Sequence, residues 1–166
     1  MSGITGGEAR VEIAAPLAAV WARVSDPTRV GEWSPECRGG KWLDGADGPG
    51  IGVRFRGNNR RGAVVWATNC EIVEFESERA IAWEVHPPLS REASARWGYE
   101  VRALDNGNTE VIERWQLLKP SPLARASWVI VAGTPDRRLA MVRRSLDESL
   151  AKLKTVMESE QVGAAG

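Results

Sequence analysis

Cysteine, histidine, tyrosine and phenylalanine are scarce in this 166-residue chain, at two, one, one and two residues. Each scarcity excludes something. A single histidine, His86, cannot build a zinc centre, and Cys37 and Cys70 stand in no metal-ligand spacing, so neither a metal nor another cofactor is expected. Two thiols, in a chain whose first residues MSGITGGEAR hold no apolar signal core, read as reduced cysteines of a cytoplasmic protein. No apolar run reaches the roughly 18 residues of a membrane span. Basic and acidic residues balance at 22 each, which removes the electrostatic case for nucleic acid or an anionic membrane surface. Ser34 and Ser90 lack the strand–turn–helix setting of a nucleophile, and the Gly39-Gly40 and Gly50-Ile51-Gly52 pairs lack that of a nucleotide loop.

Tryptophan, by contrast, is abundant: eight residues, more than the other aromatics together. Its large apolar body fills a core, and equally walls a pocket for a flat ligand. The second conspicuous feature is Thr134–Glu158. Thr134 is a good N-cap, Pro135 suits the first helical position, and Asp136 lies at the positive end of the helix dipole. Leu139, Val142, Leu146, Leu150, Leu153 and Met157 recur every three or four residues, so one face of this helix must be buried.

Upstream the periodicity is that of strands. Residues 1–7 are Gly-rich and read as disordered, and Glu8–Ile13 alternates as a half-buried strand. Two short helices follow, Leu17–Val24 and Thr28–Glu32. Strands are expected at Cys37–Leu43, Ile51–Arg56, Ala63–Phe75, Ala80–Val85, Ala95–Ala103 and Thr109–Leu117. Gly57–Arg60, Glu76–Arg79 and Asp105–Gly107 read as turns, and Arg54, Arg56, Arg60 and Arg61 around the first as a solvated tip, or as a contact for phosphate or a partner. Strands joined by turns rather than helices form an antiparallel meander. Pro120–Gly133 holds Leu123, Ala126, Trp128, Val129 and Ile130, a short apolar helix, and 159–166 reads as a disordered tail.

Four stretches in this order carry a resemblance: Val11-Glu-Ile-Ala-Ala-Pro-Leu-Ala-Ala-Val-Trp21, Gly31-Glu-Trp-Ser-Pro-Glu36, Gly52-Val-Arg-Phe-Arg-Gly57 and Asp136-Arg-Arg138. The chain over 8–158 resembles the START-like (SRPBCC) superfamily, in its polyketide cyclase/dehydrase-like branch. The resemblance implies an α+β helix-grip fold: a seven-stranded curved antiparallel sheet around a long C-terminal helix, with two short helices after strand 1. It also implies a cavity between sheet and helix for a hydrophobic small molecule, lipid-like or polyketide-like, in a monomer or homodimer. No universal catalytic motif comes with it.

Residue by residue, Glu113 shares strand parity with Val111, Trp115 and Leu117, which puts a carboxylate on an apolar face. Desolvation there would raise its pKa and suit it to proton transfer; a place at the rim, or beside an arginine, would make it structural. Tyr99, the only tyrosine, has the same parity and offers a phenol to a ligand, or packs its ring. Phe55, Trp66, Thr68, Trp83, Trp97, Tyr99, Glu113 and Trp115, with Met141 or Val142 opposite on the helix, are the candidate ligand-binding set. His86 falls on the outer face without a partner. Three functions compete: a binding module, a cyclase or dehydrase using Glu113 and Tyr99 as acid/base groups, and a protein-partner module using the outer sheet face or Leu123–Val131.

Overall fold

The computed structural model describes residues 6–87, 90–118 and 133–165, with Pro122 and Ala126. The short apolar helix expected within Pro120–Gly133 lies outside the described residues, as do residues 1–5. The elements are β1 (Gly6–Ile13), α1 (Leu17–Val24), a 3-10 helix (Pro27–Glu32), β2 (Cys37–Trp42), β3 (Arg54–Arg61), β4 (Val64–Glu76), β5 (Ala80–His86), β6 (Ala95–Ala103), β7 (Thr109–Leu117) and a long helix, here α2 (Pro135–Ala164). Among the described residues the strands make one seven-stranded antiparallel sheet, ordered β1-β7-β6-β5-β4-β3-β2. The meander β2–β7 is thus completed by β1 pairing with the last strand.

The core lies between the concave sheet face and α2. Val142, Leu146, Leu150, Leu153 and Met157 are buried along α2, and Leu139 packs partly against them. Opposite stand Ile72, Ile81, Trp83, Tyr99, Val101, Val111 and Trp115, which alternate along their strands as a pleated sheet with one dry face requires. Thr134 caps α2, its hydroxyl accepting the Arg137 N–H at 3.2 Å.

Four boundaries differ from the sequence reading. β1 starts at Gly6, because Gly6 and Gly7 pair with Gln116 and Trp115 of β7. α2 runs past Glu158 to Ala164: no helix breaker intervenes before Gly163, and Glu160 holds Arg23 of α1 with both carboxylate oxygens at 2.6 Å. Ile51 and Gly52 belong to a turn, with Ile51 72% exposed, and β3 begins only at Arg54. The hairpin expected at Gly57–Arg60 falls at Gly62-Ala63 instead, since Gly62 takes the left-handed φ of +57° and Gly57–Arg60 pair across with Thr68 to Val65. The longer hairpin turns Gly57 and Asn59 towards the concave side. A register shift between Ile72 and Glu74 breaks the strict alternation of β4, so that Phe75 reaches the core and meets Trp21 at 5.7 Å.

Candidate functional site

A cavity of about 140 Å³ lies between the concave sheet and α2. Its apolar wall is aromatic: Phe55 from β3, Trp66 from β4, Trp83 from β5 and Trp97 from β6. Register explains the arrangement. Trp83 pairs with Trp97, and Ile81 with Tyr99, so bulky side chains fall side by side on one face. Their rings interlock, Phe55 edge to face against Trp83 at 5.9 Å and 74°, and Trp83 tilted against Tyr99 at 5.9 Å.

The inner end is polar. Tyr99 and Glu113 are direct neighbours on β6 and β7, and both point inward by the same alternation that places Val101 and Trp115 there. The Tyr99 hydroxyl donates to Glu113 Oε1 at 2.9 Å and accepts the Trp33 Nε1–H at 3.0 Å. An indole nitrogen is a donor only, so Tyr99 accepts from Trp33 and keeps its own hydrogen for Glu113. Ser149 of α2 stands beside the pair, close enough that its hydroxyl helps hold the Glu113 pKa down, although among the described residues neither Ser149 Oγ nor Glu113 Oε2, both buried, makes a hydrogen bond of good geometry.

Glu113 is 4% exposed and has no charged partner among the described residues. Burial pushes its pKa up to about 7, against the smaller opposing effect of the Tyr99 and Ser149 hydroxyls. Burial, and then the neighbouring Glu113 charge, push the Tyr99 phenol well above its ordinary value. Near neutral pH, Glu113 is thus poised between its two forms while Tyr99 stays a phenol.

The other end of the cavity carries an ion cluster. Arg138, in the first turns of α2, donates to both oxygens of Glu36 at 2.5 and 2.7 Å, and its guanidinium lies over the Trp66 ring at 5.8 Å. Arg61 shares Glu36 from 3.8 Å. Both thiols also line the cavity; burial raises Cys37, and raises Cys70 to about 12, so neither is a thiolate nucleophile near neutral pH.

Of the sequence candidates, Phe55, Trp66, Thr68, Trp83, Trp97, Tyr99 and Glu113 meet at this cavity. Trp115 packs on Trp97 at 6.4 Å and lies outside the lining. Met141 and Val142 are not in it either: Val142 is buried in the core, and α2 presents Arg138, Ser145 and Ser149 to the cavity instead. The reason is phase, for the cavity lies beside the apolar stripe rather than over it. Besides Glu36, Arg138 and Ser145, two residues of the inner end, Trp33 and Ser149, escape sequence reasoning. Trp33 sits just beyond a short 3-10 helix with no strand parity to read, and a serine within a polar-looking helical sequence gives no signal of burial.

A larger depression of about 430 Å³ occupies the outer sheet face around Ala82, Gly98 and Glu100. Several of its charges pair with one another, Arg114 with Glu8 at 3.2 Å and with Glu100, and Arg96 through one nitrogen with Glu84 at 2.8 Å, as on a solvated face.

A curved antiparallel sheet gripping a long helix, with an aromatic cavity between them, defines a START-like helix-grip protein. The chain belongs to the family described as polyketide cyclase / dehydrase and lipid transport, whose model matches residues 7–158. It is similar to a polyketide-cyclase-like protein from Corynebacterium glutamicum, solved in solution, at 30% identity, covering 97% of this chain and 96% of that one with a TM-score of 0.62. Its fold is shared with the Zhui aromatase/cyclase from Streptomyces sp. R1128, at 17% identity, 93% and 92% coverage and a TM-score of 0.64. No curated protein matches the chain.

Proposed function

We propose that this protein binds an apolar, aromatic small molecule in the cavity between its sheet and α2. The observation that carries this reading is the cavity itself, a space of about 140 Å³ walled by Phe55, Trp66, Trp83 and Trp97 with polar groups gathered at its two ends. Ligand sites commonly have this character, an apolar wall and a few placed polar atoms. The similarity to a polyketide-cyclase-like protein and to an aromatase/cyclase supports an aromatic or polyketide-like occupant. Among the described residues no comparable apolar surface supports a protein partner, since the large exposed apolar residues Ile51, Val65 and Val162 lie apart from one another; Leu123–Val131 falls almost wholly outside those residues.

A second reading is cyclase- or dehydrase-type proton chemistry, favoured by Glu113, whose pKa of about 7 matches a group that takes and returns a proton near neutral pH. In it Glu113 is the acid/base group. Tyr99, its hydrogen committed to Glu113, positions the carboxyl rather than exchanging protons itself.

Native mass spectrometry of the protein purified from its own host tests the binding reading. A noncovalent organic adduct that is lost on denaturation is expected. Apolar one- and two-ring aromatics should also shift the tryptophan emission saturably, and Trp97→Ala should weaken that response. Absence of both an adduct and any saturable response would refute the proposal.

A further inference from the structure

Gly57 is the one glycine among the described residues that line the cavity, and it lies in the middle of β3. A glycine inside a strand weakens it, so its presence usually marks a bulge, a tight bend, or a close approach by another backbone or a ligand. The protein's own structure accounts for none of the first three. The β3–β4 ladder runs unbroken from Arg54 to Arg61, so no bulge falls there. The irregularity on the other side, between Cys37 and Gly40, is carried by β2 itself. There Gly39 takes a φ of +104°, and a Cβ on Gly40 would stand 2.6 Å from the Arg56 carbonyl oxygen. Gly57 takes no left-handed φ, so no bend depends on it. Nor does another backbone press on it. Among the described residues beyond its chain neighbours, a Cβ on Gly57 would come within 4 Å of the Thr68 hydroxyl oxygen alone, at an ordinary contact distance of 3.6 Å.

The place that a side chain would fill is therefore part of the cavity. Gly57 is buried, so the free space beside it is not bulk solvent. Alternation puts it on the concave face between Phe55 and Asn59, and pairing sets Thr68 of β4 across from it; all three line the cavity. Same-face neighbours on a strand stand about 7 Å apart, so a missing side chain leaves a notch between them with the backbone as its floor.

We propose that Gly57 is the seat of the ligand: the flat apolar body of the occupant lies directly on the Gly57 backbone, in the notch bounded by Phe55, Asn59 and Thr68. This rests on the binding reading above and deepens it by naming the residue that sets what the cavity admits. Glycine stands at this position for the room it leaves, not for the sheet. A side chain there would suit the strand and exclude the ligand.

The test uses 2-naphthol as the probe, with thermal melts, titration calorimetry and NMR on the wild type, Gly57→Ala and Gly57→Val. In the wild type the ring protons of the probe should show intermolecular NOEs to the Gly57 α-protons. Gly57→Ala should melt no lower than the wild type, because alanine restricts the unfolded chain and meets no clash in the folded one. It should also bind 2-naphthol several-fold more weakly. Gly57→Val suits a strand and fills more of the notch, and should weaken binding at least about 10-fold. The NOEs and Gly57→Ala decide the matter if the larger side chain of Gly57→Val prevents folding. A lower melting temperature for Gly57→Ala would overturn the proposal, since the glycine would then serve the sheet or a contact within the protein. Unchanged affinity in the variants, or NOEs that leave out Gly57, would overturn it too, while leaving a cavity for apolar aromatics intact. No saturable binding of 2-naphthol by the wild type would overturn it together with the reading it rests on.

Discussion

Glu113→Gln separates a carboxylate held against its interest from one that anchors the fold. In the folded protein burial raises the Glu113 pKa from 4.5 to about 7, and no cation among the described residues offsets the desolvation. In the unfolded chain the side chain titrates near 4.5. Below both values the group is protonated in either state and costs nothing. Between them only the folded state holds the proton, so the unfolded chain binds fewer protons and stability falls as pH rises, by about 1.4 kcal/mol per pH unit. Above about 7 the cost levels off at roughly 3 kcal/mol, with no discount for solvent because the side chain is almost wholly buried. A glutamine at this position would keep the shape, accept the Tyr99 hydroxyl through its carbonyl oxygen and carry no charge.

The mutant should therefore be more stable than the wild type at pH 8, by about 2–3 kcal/mol after allowing for a weaker neutral hydrogen bond. For a chain of this length that is roughly 5–10 °C in Tm. At pH 5 the advantage should shrink below about 1 kcal/mol. Thermal melts of both proteins at the two pH values read this directly. A mutant less stable than the wild type at pH 8 would refute the reasoning, because it would mean the carboxylate is already well solvated by donors.

Other perturbations follow from the same structure. Leu146→Ala, in the middle of the buried α2 stripe, should cost about 2–5 kcal/mol in urea denaturation. Gly31→Ala should cost at least about 2 kcal/mol, since its Cβ would lie 2.3 Å from the backbone nitrogen of Gly39 and neither backbone can yield cheaply. Glu36→Gln leaves Arg138 and Arg61 facing each other without their shared carboxylate, and should speed hydrogen exchange in the first turns of α2 several-fold while leaving the exchange of β6 and β7 unchanged.

How much of this is visible in the sequence depends on the distance over which each feature is determined. Strand alternation and the helical period are local. They place Ala95–Ala103, Thr109–Leu117 and Leu17–Val24 as observed, and with them the inward facing of Tyr99 and Glu113. Turn position is less secure where two glycines compete. Gly57 and Gly62 both suit a hairpin, but only the ladder pairing of Gly57 with Thr68 decides for Gly62. The bulge in β4 has no local signature, and it moves Phe75 across the sheet. The phase of α2 is right for the core and wrong for the cavity. An apolar stripe reports what is packed, and here the cavity is faced by Arg138, Ser145 and Ser149 from the neighbouring row.

The stretch Gly31–Glu36 shows why a family motif can be recognisable before its chemistry is. Most of its polar and aromatic residues act on something far away in sequence or beyond their own turn. Glu32 binds Arg29 at 2.7 Å, and Arg23, which Glu160 also holds. Trp33 donates to Tyr99 at the buried end of the cavity, and Ser34 accepts the Cys37 N–H at 3.0 Å as β2 begins. Glu36 grips Arg138 at the opposite end. Gly31 must be glycine for the segment to lie against β2 at all. One hexapeptide thus ties both ends of the cavity to the start of the sheet, so its spacing is set by the cavity's length rather than by any helix or strand period. A substitution at Trp33 would accordingly act on Glu113 through Tyr99. Losing the indole donor frees the phenol to rotate away, which removes the hydrogen bond that now opposes desolvation and drives the Glu113 pKa higher still.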